Sequence, residues 1–262
     1  MISDIRRVGQ HATIYANVRN EYIMECMEEH AGEVLGYAEK ETDGKHLLQL
    51  HGTENRVTMS AHQIASVDVE RATLRWRWAE NALENDASVP NGANIAAAMR
   101  AWGEENELPS FSSPEVPYEL SEFDDEDFDP AEAAAVSVAG DVGDSAFEIF
   151  GENSSYVCIP TDDGDTWRVF LIDGYTIPIP IMDLDALFVR IGRLVTECDD
   201  PAWSIEGIAY QREDWTVEEI APESKQQAWK IADFEGRYFV VELSFDEDGN
   251  IAEIAQRGIF NA

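Results

Sequence analysis

All five histidines lie in the first 62 positions, at His11, His30, His46, His51 and His62. Neutral imidazole is a common transition-metal ligand, so histidines converging with one or two carboxylates would make a metal centre. The spacing works against it. His46 and His51 fall on one expected strand at an odd interval, which sends them to opposite faces. His51 and His62 are the pair that neighbouring strands would bring together. Cys26, Cys158 and Cys198 are an odd, scattered set with no C-x-x-C, which suits neither a disulfide framework nor a zinc site. They are expected as small core residues. Asp246, Asp248 and Asn250 alternate as calcium ligands do, but Gly249 sits at the fourth position of that loop, not the sixth, and a plain turn accounts for them. The G-x-S-x-G, G-x-x-x-x-G-K-[ST] and H-E-x-x-H signatures are missing. No catalytic residue, cofactor site or metal site is expected.

Two other groupings carry chemistry of a different kind. Trp76 and Trp78 face one way on an expected strand over 73–79, with Arg75 and Arg77 on the other side. Together with Trp167 they are the candidate walls of a small-molecule pocket between two sheets. The plainer reading makes them core, because each buries a large area, and leaves Asn81 as a turn residue. The second grouping is an acidic run over 122–129. Within it Phe123, Asp124, Asp125, Glu126, Asp127 and Phe128 form a candidate partner-binding strip, with the two phenylalanines as apolar anchors among carboxylates. Its plainer reading is a solvated loop.

Charge narrows the field further. The chain has 53 acids against 18 bases, a net charge of −35. Such an excess repels polynucleotides and anionic lipid and attracts cations and basic protein surfaces. The excess is even: residues 1–175 hold 35 acids and 11 bases, and residues 176–262 hold 18 and 7. An even spread suits a solvated surface, as in adaptation to a salty cytoplasm, at least as well as a nucleic-acid mimic. The first residues lack the apolar core of a signal peptide, and no run of about 18 apolar residues occurs. The expected setting is cytoplasmic, without nucleic acid or membrane as partner.

The elements that must position these residues read as α+β. A helical period covers 17–40, followed by an Asp43-Gly44 turn and short strands over 46–51 and 56–60, with 63–69 continuing the latter or bending away. A helix is expected over 93–105. Asp129-Pro130-Ala131-Glu132 has the capping-box pattern of another, which Gly140 and Gly143 should disturb. A hairpin over 155–160 and 166–173 precedes an amphipathic helix opened by Asp183 and stopped by Asp199-Asp200-Pro201. Strands are expected over 203–210, 215–220 and 229–234, then a hairpin of 237–245 and 251–257 about Asp248-Gly249. The architecture this predicts is two antiparallel sheet layers, each covered by helices, divided as 1–175 and 176–262.

Over about residues 17–175 the chain resembles a family of uncharacterised bacterial domains. The residues that carry the likeness are Trp76-Arg77-Trp78-Ala79-Glu80-Asn81 (a W-x-W-A-x-N strand motif), Ala101-Trp102-Gly103-Glu104 and Trp167-Arg168-Val169-Phe170-Leu171, with Gln63-Ile64-Ala65-Ser66 before the motif. The resemblance implies an α+β domain and a bacterial origin, and brings no activity with it. The acidic insertion around 122–129 departs from the family pattern, and residues 176–262 lie outside the likeness. The leading expectation is therefore a non-enzymatic cytoplasmic protein that contacts a basic protein partner, in one form an inhibitor or immunity-type protein. A small-molecule binder or enzyme with a pocket between the sheets, and a nucleic-acid mimic, stay open as alternatives. Oligomeric state is left open as well.

Overall fold

The computed structural model describes residues 2–42, 45–79, 95–120, 129–151, 153–220 and 226–261. They form an α+β fold with two antiparallel sheets, one of seven strands and one of four. The chain makes two compact units. The first is Met1–Gly9 with Glu25–Ile179, and the second is Gln10–Met24 with Pro180–Ala262. One helix, α1 (Ile2–Ala31), thus supplies residues to both.

α1 begins well before the helix expected over 17–40 and ends earlier. Residues 12–16 are all buried, so this stretch has no polar face and shows no amphipathic period. At its end Gly32 takes a φ of +76°, which stops the helix, and β1 (Val34–Thr42) follows. The apolar spacing of Val34, Leu35 and Ala38 had suited a helix. In the structure it belongs to a strand that pairs antiparallel with β2 (Lys45–Gly52).

In the first unit the organising strand is β3 (Arg56–Asp68), in which the stretch from Gln63 continues the strand begun at Arg56. Its first half pairs with β2 and its second half with β4 (Thr73–Trp76). Its other edge pairs with β7 (Thr166–Tyr175), which pairs in turn with β6 (Ser155–Pro160). The short β5 (Glu115–Pro117) completes the sheet beside β4. Register puts Ala65 opposite both Trp76 and Val169, and Val67 opposite both Leu74 and Trp167. These side chains share one face. They join a buried cluster with Met99 of α2 (Ile95–Glu105), Phe111 of α3 (Pro109–Ser112) and Val138, Ala139, Val142 and Ala146 of α4 (Pro130–Phe150).

α4 opens as its sequence signals, with Pro130 in the first turn and the Asp129 carboxylate accepting from the Ala131 N–H. The two glycines do not interrupt it. Gly143 lies against the ring of Tyr156, where a Cβ would overlap the ring carbons, so the helix gains a close approach to β6 at that point.

In the second unit β8 (Thr216–Glu219), β9 (Gln226–Ala232), β10 (Arg237–Phe245) and β11 (Ile251–Asn261) form a meander in the order β11-β10-β9-β8. Trp229, Ile231, Phe239, Val241 and Leu243 are buried from its middle strands. α5 (Leu184–Leu194) is capped by Asp183 as expected and buries Leu184, Leu187, Ile191 and Leu194. Phe188 of α5 meets Phe239 edge-on at 5.3 Å.

The stretch over 203–210, expected as a strand, is helical. α6 runs Pro201–Gln211, with Asp200 as N-cap accepting from the Trp203 N–H. The Asp-Pro pair that ends the preceding helical run therefore starts the next one. Gly207 sits against the carbonyl of His11, a separation that excludes any Cβ.

Candidate functional site

The three tryptophans come from the first unit; Trp76 and Trp167 lie on strands of one sheet, and Trp78 does not. β4 ends at Trp76, and Arg77–Ala79 form a 3-10 turn, so Trp76 and Trp78 do not share a strand face as expected. Trp76 is fully buried. Its indole N–H donates to the Ser110 carbonyl at 2.8 Å, and its ring stacks on Phe111 at 5.5 Å. Trp78 and Trp167 are partly buried against the same core. The Arg100 guanidinium lies 4.6 Å above the Trp78 ring, so this chain's own cation takes the place a ligand would stack in. The N–H groups of Trp78 and Trp167 are buried and meet no acceptor among the described residues.

The histidines disperse. His46 stacks on Phe170 at 5.1 Å, with the Glu39 carboxylate 3.5 Å from its Nε2. That carboxylate also accepts from both terminal guanidinium nitrogens of Arg168. His62 binds Asp173 at 2.8 Å across the β3–β7 pair. His51 stands opposite Arg56 at the far end of β2, so the expected meeting of His51 and His62 does not occur. Among the described residues no group of three potential ligands gathers.

Buried titratable groups do occur at the α4–β6 contact. The phenol of Tyr156 is hydrogen-bonded to Asp144, and burial together with that carboxylate raises its pKa well above the ordinary value. Burial also pushes the Cys158 thiol up to about 12, again with Asp144 contributing. Both shifts run away from reactivity: a nucleophilic thiol needs a depressed pKa, and a general base needs one near neutrality. The pair acts as a tether between α4 and β6. Tyr156→Phe removes a donor from a buried carboxylate and is expected to lower stability by about 1–3 kcal/mol. The shift of the urea midpoint in equilibrium unfolding checks this.

The second unit holds a polar centre that the sequence did not reveal. Arg212 is 4% exposed yet carries full charge. It donates to both Asp214 oxygens at 2.8 Å, to the Met182 carbonyl at 2.8 Å and to the Tyr15 hydroxyl at 3.4 Å, and lies 4.5 Å over the Trp215 ring. Its contacts lie up to 197 positions away in the chain, so no local spacing marks them. The centre gathers α1, the segment before α5 and the turn after α6.

Arg71, Arg75, Arg100, Arg168, Arg193, Arg237 and Arg257 each hold a carboxylate of the same chain. Much of the small cationic complement is thereby spent internally. The strip Phe123, Asp124, Asp125, Glu126, Asp127 and Phe128 lies outside the described residues. Leu120, just before it, is 53% exposed.

No curated protein matches the chain, and no solved structure does. A family model described as a family of unknown function, DUF6882, matches residues 8–175. That span takes in α1 from its second turn and the whole seven-stranded sheet with its covering helices, and on it the chain belongs to the DUF6882 family of unknown function.

Proposed function

We propose that this is a non-enzymatic, cytoplasmic, bacterial protein that acts by holding or covering a basic protein partner, as an inhibitor or immunity-type protein does. The W-x-W-A-x-N stretch is read as its family's mark. One observation carries the proposal: the chain ties up its own arginines in internal ion pairs, so the net charge of −35 is presented to the surroundings with few cations to oppose it. Such a surface steers a cationic partner and speeds its encounter. The partner-binding strip is assigned to Phe123, Asp124, Asp125, Glu126, Asp127 and Phe128, with Leu120 beside it.

Affinity purification from native extract, followed by mass spectrometry, is expected to return a basic protein that elutes as salt approaches about 1 M, where the Debye length falls to about 3 Å. The variant with Phe123 and Phe128 changed to Ser and the four intervening acids to their amides is expected to lose it. Capture that ignores both salt and the strip variant contradicts the proposal.

A further inference from the structure

β11 is the outermost strand of the second sheet, and its second edge has no neighbour among the described strands. The opposite edge of the sheet is protected: β8 has four residues, and Glu218 and Glu219 are exposed on it. β11 is eleven residues long and has no proline. A long strand with an open row of backbone donors and acceptors is a template for another strand.

Its sequence specifies which strand. Around Ala255 the order is Ile251-Ala252-Glu253-Ile254-Ala255-Gln256-Arg257-Gly258-Ile259. Its pairing with β10 shifts register at Ala252 and at Gly258–Ile259, so the regular run is Glu253–Arg257. An antiparallel copy of that run centred on Ala255 sets Glu253 opposite Arg257 and Ile254 opposite Gln256, each pair formed twice. Glu253 and Arg257 are exposed, and they share the sheet face of Glu242, which stands opposite Ala255 and holds Arg257 in an ion pair. Directly opposed unlike charges favour a cross-strand pair and like charges oppose it. A shift of the centre by one residue in either direction breaks the charge match. The helix seated on this strand through Gln256 and the Phe188 carbonyl, α5, leaves Val189 76% exposed.

We propose that β11 is a self-association surface: it pairs antiparallel with β11 of a second copy of this chain about a two-fold axis at Ala255, making one eight-stranded sheet from the two four-stranded ones. A two-fold contact is self-complementary by construction, as this strand is. The proposal is independent of the acidic-surface reading. Salt separates the two, since screening the net repulsion between two chains of −35 strengthens the dimer, whereas it weakens capture of a basic partner.

Sedimentation velocity on the full chain at rising protein concentration and moderate salt tests it. The wild type is expected to show a monomer–dimer equilibrium. Arg257→Glu and Glu253→Arg each replace two attractive pairs with two repulsive ones and are expected to weaken the dimer on the order of tenfold or more. The two single variants mixed together are expected to form a heterodimer, and the double variant, with the charges exchanged, is expected to recover self-association. Both positions are exposed, and circular dichroism of each variant checks that the fold is retained. A wild type that stays monomeric at every concentration, a dimer that the single variants leave unchanged, or a mixture that fails to associate overturns the proposal.

Discussion

Trp76→Ala is expected to lower the stability of the protein by about 3–5 kcal/mol, the range for deleting a large aromatic side chain from a packed interior. Trp76 is fully buried, and it is both a packing and a hydrogen-bonding element. Its ring stacks on Phe111, and on β3 Ala65 is its small cross-strand neighbour. Alanine would leave a cavity among Leu74, Met99 and Phe111 that rigid neighbours fill only in part. It would also leave the buried Ser110 carbonyl without its donor. Trp76→Phe separates the two contributions. It keeps most of the volume and loses the N–H, so its cost should fall near the value of one buried hydrogen bond, about 1–3 kcal/mol. Chemical denaturation followed by intrinsic fluorescence measures both, with far-UV circular dichroism as a second probe because the fluorophore is altered. A Trp76→Ala midpoint equal to that of the wild type would contradict the packing account and return this residue to the list of ligand platforms. Trp78, partly buried beneath Arg100, provides the internal comparison: its replacement costs less because less of it is enclosed.

The contrast between these two tryptophans shows where sequence stops being informative. Alternation along 73–79 is a period-two signal, and it holds for Leu74 and Trp76 because the strand lasts that far. A signal of that kind carries no end marker, and the 3-10 turn at Arg77 has neither Gly nor Pro to announce it. The two caps that sequence located, Asp129 and Asp183, are local devices: one side chain satisfies an N–H two or three residues away. Asp200 works the same way, yet an Asp-Pro pair is both a stop and a start, and the residues after it, Trp203, Ile205 and Ile208, favour strand and helix alike. Helix α1 escaped notice over residues 12–16 for the opposite reason, since burial on all sides there erases the periodicity that marks a surface helix. The β6–β7 and β10–β11 hairpins were legible because their turns and their alternation agree, whereas β1, whose apolar spacing suits a helix, hid its half of the β1–β2 hairpin. The Arg212 centre was not, because its members are placed by folding and by nothing in their spacing.

Arg212 is where the second large effect is expected. Arg212→Met keeps much of the apolar stem and removes the guanidinium, and should cost about 2–3 kcal/mol at neutral pH. The loss of a fully enclosed ion pair runs higher, but Asp214 is 44% exposed and water takes up part of its charge. What water cannot replace is the donor to the Met182 carbonyl and the cation over Trp215. Arg212→Lys should recover little, because an ammonium cannot span both Asp214 oxygens and the carbonyl together. The dependence on pH follows from the pair. Burial alone would lower the pKa of Arg212, but its hydrogen bonds to Asp214 and Tyr15 raise it, so the guanidinium keeps its charge. The hydrogen bond from Arg212 holds the Asp214 carboxyl below its ordinary value. A carboxyl depressed in the folded state stabilises it at every pH above the unfolded pKa, near 3.9, and that contribution fades as pH falls through the folded value. The gap in unfolding midpoint between wild type and Arg212→Met should therefore be full at pH 7 and narrow below about pH 4. Asp214→Asn, which removes the titrating group and leaves the arginine its other contacts, should show a smaller gap that closes over the same range. A gap that stays constant as the solution is acidified would mean that the centre gains nothing from the Asp214 charge, and that Arg212 is held by its other contacts alone.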